Sequence, residues 1–394
     1  MIVADPASDG QSVEGLRLAI VGSRGYPSTY GGFETLVRYL APYLRDEGAE
    51  VTVYGRERPC GSTLKDGIRV VNTRGLSTKS LSTLSHGLTA AIHASKERFD
   101  AVIVLNIANG YFLPLIRRRR TVTILNVDGM EWERAKWNGL ARAVFRVGGW
   151  LSARWSDELV ADSREIARRW RDLHGRELTF IPYGAEIPMT IGQTKIASLG
   201  LKAASYHLMV ARLVPENNIA LFLSAASDSP SDYRFVLVGS GDLDRASQDQ
   251  LASLTRSGRV VALGHVSDQG LLTELWANSA SYFHGHSAGG TNPALLQAMS
   301  CGAPVVAFDS AYNREVLGDG SCFVAQPADL VSAWTSLESA SPDHVDAERQ
   351  RFQGIISERY TWSSVCAGYA SLVTDAVGRA SQRRSLPSLG AAQE

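Results

Sequence analysis

Two stretches of the chain gather the residue types that chemistry on phosphates and sugars needs. The first, Phe283–Val306, reads FHGHSAGGTNPALLQAMSCGAPVV. An apolar run ends at His284, His286 follows, and Gly289, Gly290 and Thr291 make a loop. Asn292 suits an N-cap and Pro293 the first helical position, because the capping amide accepts an orphan N–H and proline has none to lose. A glycine loop that opens a helix presents backbone N–H groups and the positive end of the helix dipole, which suits a diphosphate. Gln297 lies one turn inside that helix, within reach of a ribose. The His284/His286 spacing supplies no third ligand, so the pair is expected to line the site and no metal is expected. The second stretch, Asn126–Trp137, reads NVDGMEWERAKW and follows an apolar run. Asp128 is expected at the carboxyl end of a strand, projecting into a ligand site. Glu131, Trp132 and Lys136 add groups that bind sugars, since carboxylates hold hydroxyls and aromatic faces stack on rings.

Weaker signals lie at other turns. Gly31 and Gly32 open a helix inside GSRGYPSTYGGFE (Gly22–Glu34), again offering backbone amides to an anion. Gly239, Ser240 and Gly241 follow an apolar run, and Arg212 follows another within ARLVPENN.

The elements that must position these residues alternate. Buried-strand runs are expected at Leu16–Gly22, Val51–Tyr54, Ile68–Val71, Ala101–Leu105, Thr121–Leu125 and Glu158–Ala161. A helix over Phe33–Glu47 carries Leu36, Leu40 and Leu44 on one stripe and closes at Gly48. The second half repeats the pattern at His207–Ala211, Arg234–Val238, Val260–Leu263, Ser281–His284, Pro304–Ala307 and Cys322–Val324. Alternation of this kind predicts α/β architecture: two doubly wound parallel sheets, facing across a cleft, with ligands outside the strands' carboxyl ends. The expected division is a mobile leader (1–14), an N-terminal domain (15–186), a C-terminal domain (187–357), a helix (358–377) packing back on the first domain, and a disordered tail (378–394). Pro182, Gly184 and Pro188 interrupt the periodicity at the junction.

Composition narrows the class. The chain has 394 residues, 44% of them apolar, enough for a core in each half. Basic and acidic residues balance at 40 each, which argues against nucleic acid as a partner. The four cysteines are scattered without CxxC spacing, which fits a reducing cytoplasm. Two features fit either an anionic surface at the cytoplasmic face of the membrane or, equally, a core-packed stripe beside a solvated strand entrance. Phe112, Leu113, Leu115 and Ile116 run into Arg117–Arg120, and Leu140, Val144, Val147 and Leu151 form a helical stripe near Trp150 and Trp155.

Over about residues 16 to 375 the chain resembles the retaining GT-B glycosyltransferases of group 1, or family 4, and within them a bacterial rhamnosyltransferase-like subgroup (DUF1972-type N-terminal domain). Ala298, Met299, Gly302, Pro304, Val305 and Val306 match the family's A-M-x-x-G-x-P-V-V tail. The family's two glutamates are replaced by Gly289 and Gln297. The resemblance implies donor binding by Gly31, Gly32, Arg212, Asn217, Gly239, Gly241, His284, His286, Gly289, Gly290, Thr291, Asn292 and Gln297. It implies acceptor binding by Tyr30, Glu34, Asp128, Glu131, Trp132 and Lys136, and catalysis resting on Asp128 and Arg212. Asn217 stands where the family usually has a lysine. The implied reaction is transfer of a sugar, L-rhamnose from dTDP-rhamnose, to a glycan or polyprenyl-diphosphate-linked acceptor, with retention and without a cofactor. Two alternatives stand beside it: a nucleotide-sugar epimerase of the same fold, and a non-catalytic partner protein, for which Gln297 is the support.

Overall fold

The computed structural model of the chain describes residues 12–27, 31–76, 82–133 and 139–385. Two compact units divide it between Pro182 and Tyr183 and again between Trp362 and Ser363.

The first unit is built on β1 (Arg17–Val21), β2 (Glu50–Gly55), β3 (Gly61–Lys65), β4 (Ile68–Asn72), β5 (Ala101–Leu105), β6 (Val122–Asn126), β7 (Glu158–Ala161) and β8 (Thr179–Phe180). They form one sheet in the order β3-β4-β2-β1-β5-β6-β7-β8, parallel except for β3. Leu18–Ile20 and Val102–Leu105 are almost fully buried, as strands covered on both faces must be, and so they read as unbroken apolar runs. β3 gave no such signal, because all five of its residues are exposed at the sheet edge.

The second unit carries β9 (Tyr206–Val210), β10 (Arg234–Val238), β11 (Val260–Gly264), β12 (Ser281–His284), β13 (Val305–Phe308) and β14 (Cys322–Val324). Their order, β11-β10-β9-β12-β13-β14, is the doubly wound dinucleotide-fold order with every pair parallel. Phe222, Phe235, Phe283 and Trp334 fill its core, with His207 stacked on Trp334 at 4.9 Å between ring centres.

In both units the strand order reverses beside the first strand, between β1 and β5 and between β9 and β12. Residues just past those four strands therefore sit where open α/β sheets bind ligands.

Several expectations need correction. The end of the leader is packed, not mobile: Val13 is buried and its carbonyl accepts the Leu16 amide. The final helix begins at Trp362 rather than at 358, after a break at Tyr360. It runs to Ser385, so residues 378–385 are helical rather than part of a disordered tail. Arg379 pairs with Glu158 and Arg384 donates to the Arg120 carbonyl, and both contacts hold that last stretch to the first sheet. Among the described residues no helix is long and apolar enough to cross a membrane.

Candidate functional site

In the second unit, Arg212 lies two residues past β9 and is exposed. The turn after β10 closes directly on this strand end. A Cβ on Gly239 would overlap the Ala211 carbonyl and one on Gly241 the Leu213 carbonyl, so only glycine fits at either place. The Leu213 amide donates to Ser240 O at 3.0 Å and fastens the two loops together.

The segment after β12 is tied to the same place. Asn217 Nδ2 donates to Arg212 O at 2.7 Å, which turns the Asn217 amide oxygen toward His286. That oxygen accepts from His286 Nδ1, so Nδ1 carries the proton and Nε2 is left as the ring's second polar atom. Asn218 Nδ2 donates to Gly285 O at 2.7 Å, and Ser287 donates through its amide and its hydroxyl to Glu216 O, each at 2.9 Å. Asn217, a lysine in the family pattern, is therefore a buried strut that orients His286 and the Arg212 backbone. A Cβ at Gly289 would lie 3.1 Å from His286 Nε2. The imidazole thus occupies the space that a side chain at 289 would begin to fill.

Asn292 caps the helix Pro293–Ser300, its Oδ1 accepting the Ala294 amide at 2.9 Å. Thr291 is buried in the loop just before the cap, and Gln297 is half-buried one turn into the helix. His284 is only 4% exposed; its Nδ1 contacts the Tyr282 hydroxyl at 3.0 Å, and Nε2 has no hydrogen-bond partner. Burial pushes its pKa down to about 3, so the ring is neutral.

In the first unit, Gly22 follows β1 with φ of 106°, and a Cβ there would overlap the Leu105 carbonyl at the end of β5. Glu34, in the helix Gly32–Asp46, turns back on its own loop: Oε1 accepts the Arg24 amide at 3.1 Å. Its expected role on an acceptor gives way to this bracing, which a Cβ on Gly31 would obstruct. Asp128 stands past β6 with φ of 55°, and its Oδ2 accepts from Asn106 Nδ2 at 3.2 Å. Asn106 also has a left-handed backbone, φ 73°. Two non-glycine residues in this conformation, joined at adjacent strand ends, are the kind of strain that accompanies functional sites. Asn126 links them to the last helix: its Oδ1 accepts the Asp128 amide at 3.1 Å and its Nδ2 donates to the Tyr369 hydroxyl at 2.8 Å.

Asn106 escaped the sequence reading. Its signal was present, since Leu-Asn recurs where both strands close, as Leu105-Asn106 just past the end of β5 and as Leu125-Asn126 at the end of β6. Arg56, past β2, also escaped it; burial lowers its pKa while the Glu34 carboxylate opposes that shift, and its guanidinium donates to Gly22 O at 3.4 Å.

Trp132 is a correction. Its ring is 5% exposed and packs on Trp170 and His174, with centres 6.1 and 6.4 Å away, so it has no face for a sugar. Glu131 beside it is likewise buried. Tyr30 and Lys136 lie outside the described residues. The apolar stripe is also split: Leu151 is buried, while Leu140, Val147 and Trp150 are exposed. Leu113 and Ile116 are buried, and Arg117 is occupied by Asp157 and the Trp155 carbonyl.

Comparison with known proteins agrees with this geometry. Residues 30–187 match the model of Glycosyltransferase Family 4, and residues 204–339 that of Glycosyl transferases group 1. The chain belongs to the group 1/family 4 glycosyltransferases. It is 27% identical over 217 residues to phosphatidyl-myo-inositol mannosyltransferase of Mycobacterium leprae and 26% identical to that of Mycobacterium tuberculosis. Each match covers 52% of this chain, and the chain spans about half the length of these curated relatives, 55% and 56%. Among solved structures, sucrose-phosphate synthase from Thermosynechococcus elongatus superposes with a TM-score of 0.77 at 16% identity, over 92% of this chain and 100% of that one. Anabaena HepE in complex with UDP gives 0.69 at 18%, over the same shares. The architecture is thus the two-domain GT-B fold.

Proposed function

We propose that the protein transfers a sugar from a nucleoside-diphosphate sugar, held at the carboxyl edge of β9 and β12, to a glycan on a polyprenyl-diphosphate carrier. One observation carries this reading most. Arg212, the 239–241 turn and the 285–287 loop that leads from β12 toward the helix Pro293–Ser300 meet around a single strand-order reversal. Arg212 and the positive helix end offset the charge that grows on the diphosphate as the glycosidic bond breaks, without a metal. His286 supplies a polar atom where the family pattern has a glutamate at 289. Gln297 binds the ribose through its amide. In the first unit Asp128, held by Asn106, receives the acceptor. Configuration is retained, the departing phosphate oxygen taking the acceptor proton.

The rhamnose assignment rests on the subgroup resemblance alone, while the relatives reported above include a mannosyltransferase and a structure in complex with UDP. A calorimetric panel of dTDP, UDP, GDP and ADP, followed by the matching nucleotide sugars, decides among them. Selective dTDP binding supports rhamnose; preference for another nucleotide keeps the transferase and replaces the sugar; no binding by any of them favours a non-catalytic partner.

The carrier lipid is supported by the helix Gly139–Trp155. Leu140, Val147 and Trp150 stand exposed on one side of it, with Arg146 and Arg154 beside them. Such a face lies in an anionic interface on the cytoplasmic side of the membrane. Retention in the soluble fraction during flotation with anionic vesicles at low salt would remove this part.

A further inference from the structure

The opposite edge of the first sheet carries its own concave site. A cavity of about 630 Å³ opens at the amino ends of β1, β5 and β6, against the last turns of the helix Trp362–Ser385. Five guanidinium groups line it: Arg17, Arg98, Arg119, Arg120 and Arg384. The one carboxylate in the wall, Asp100, already accepts the Arg17 amide at 2.8 Å. Arg17 has further anionic neighbours in Glu50, 3.3 Å away, and Glu97, 3.8 Å away. None of the ion pairs among the described residues engages the other four arginines. The floor is apolar, formed by Phe99, Val122 and Val377.

Arginines scattered on a convex surface are ordinarily just solvated. Here the arrangement differs in two ways. The groups converge on one hollow, where their like charges add to a local positive potential that an anion would neutralise. The rim is also fixed, because Arg120 turns with φ of 62° and its carbonyl accepts from Arg384, which joins the two walls. Guanidinium forks match phosphate oxygens two at a time.

We propose that this cavity is a second anion site, distinct from the donor site, for a ligand bearing adjacent phosphate groups over a small apolar body. Each strand between the two edges is five residues long in β1, β5 and β6, so roughly 16 Å of sheet separates the cavity from the edge that carries Asn106 and Asp128, while the donor site belongs to the second unit. The ligand is a regulator or an anchor rather than the reacting donor. A soluble polyphosphate and a lipid phosphate headgroup share this chemistry.

The test uses the full chain carrying Arg212→Ala, so that the donor site does not compete. Inorganic pyrophosphate is titrated calorimetrically, and flotation is measured with phosphatidylglycerol vesicles, with and without the pair Arg98→Gln and Arg119→Gln. The pair Arg245→Gln and Arg256→Gln, on the second unit, is the charge-matched control, and melting curves confirm folding. Pyrophosphate binding weakened about tenfold or more per guanidinium removed, with the control unchanged, supports a soluble ligand. Vesicle binding lost in the same way, without pyrophosphate binding, supports a headgroup. If neither probe distinguishes the pair from the control, the proposal is overturned. Nucleoside diphosphate binding by the unmutated chain is read separately, so failure here leaves the donor site untouched.

Discussion

Arg212→Ala separates the role of this arginine in binding from its role in folding. The side chain is exposed, and none of the hydrogen bonds or ion pairs among the described residues involves its guanidinium. Its loss therefore removes no internal contact, and stability should change by no more than about 0.5 kcal/mol. The local backbone is held independently, since Asn217 binds the Arg212 carbonyl rather than its side chain. A guanidinium on a diphosphate makes charge-assisted hydrogen bonds worth about 1.5–3 kcal/mol. Nucleoside diphosphate affinity should then fall roughly 10- to 150-fold, at about 1.4 kcal/mol per decade. Arg212→Lys should recover only part of it, because an ammonium lacks the planar fork. Calorimetry gives the affinity and urea unfolding the stability. Unchanged affinity, or a loss of stability that accounts for the loss of binding, would refute the assignment.

Four further outcomes follow from the geometry. Gly239→Ala places a Cβ against the Ala211 carbonyl, so nucleotide binding should weaken and urea stability should fall by more than about 2 kcal/mol. Gly258→Ala, with φ of 75° and nothing within 4 Å, should cost only about 1–2 kcal/mol and leave binding intact. Tyr369→Phe strips the buried Asn126 amide of its acceptor and should cost about 1–3 kcal/mol in urea unfolding. His284 ionises near pH 3 in the fold, against about 6.5 in the unfolded chain, so the unfolded chain binds the extra proton between those values. Stability should decline as pH falls through that window, by about 1.4 kcal/mol per unit from this residue, and His284→Gln should flatten the slope by one proton.

The sequence displayed the fold well where burial was two-sided. β5 is an unbroken apolar run bounded as it was expected to be, because a covered parallel strand leaves no polar face to interrupt the pattern. β3 was invisible for the converse reason. Among the site residues, the types were legible but the depth was not. Trp132 reads as a sugar platform in NVDGMEWERAKW, and only the packing of Trp170 and Gly149 around it shows that it is core. Glu34 and Asn217 read as ligand groups and fold back on their own loops instead, since local spacing does not reveal which backbone amide or carbonyl a polar side chain will meet. The glycines were more transparent. At 22, 239 and 241 the chain approaches another strand end too closely for a Cβ, and a glycine after an apolar run announces that approach.

The central claim is the location of the diphosphate, and a crystal structure with the tightest-binding nucleoside diphosphate tests it most directly. The account expects the phosphates within hydrogen-bond reach of the Arg212 guanidinium and of the backbone that opens the helix at Asn292. Phosphates bound elsewhere, with Arg212 in solvent, would contradict it.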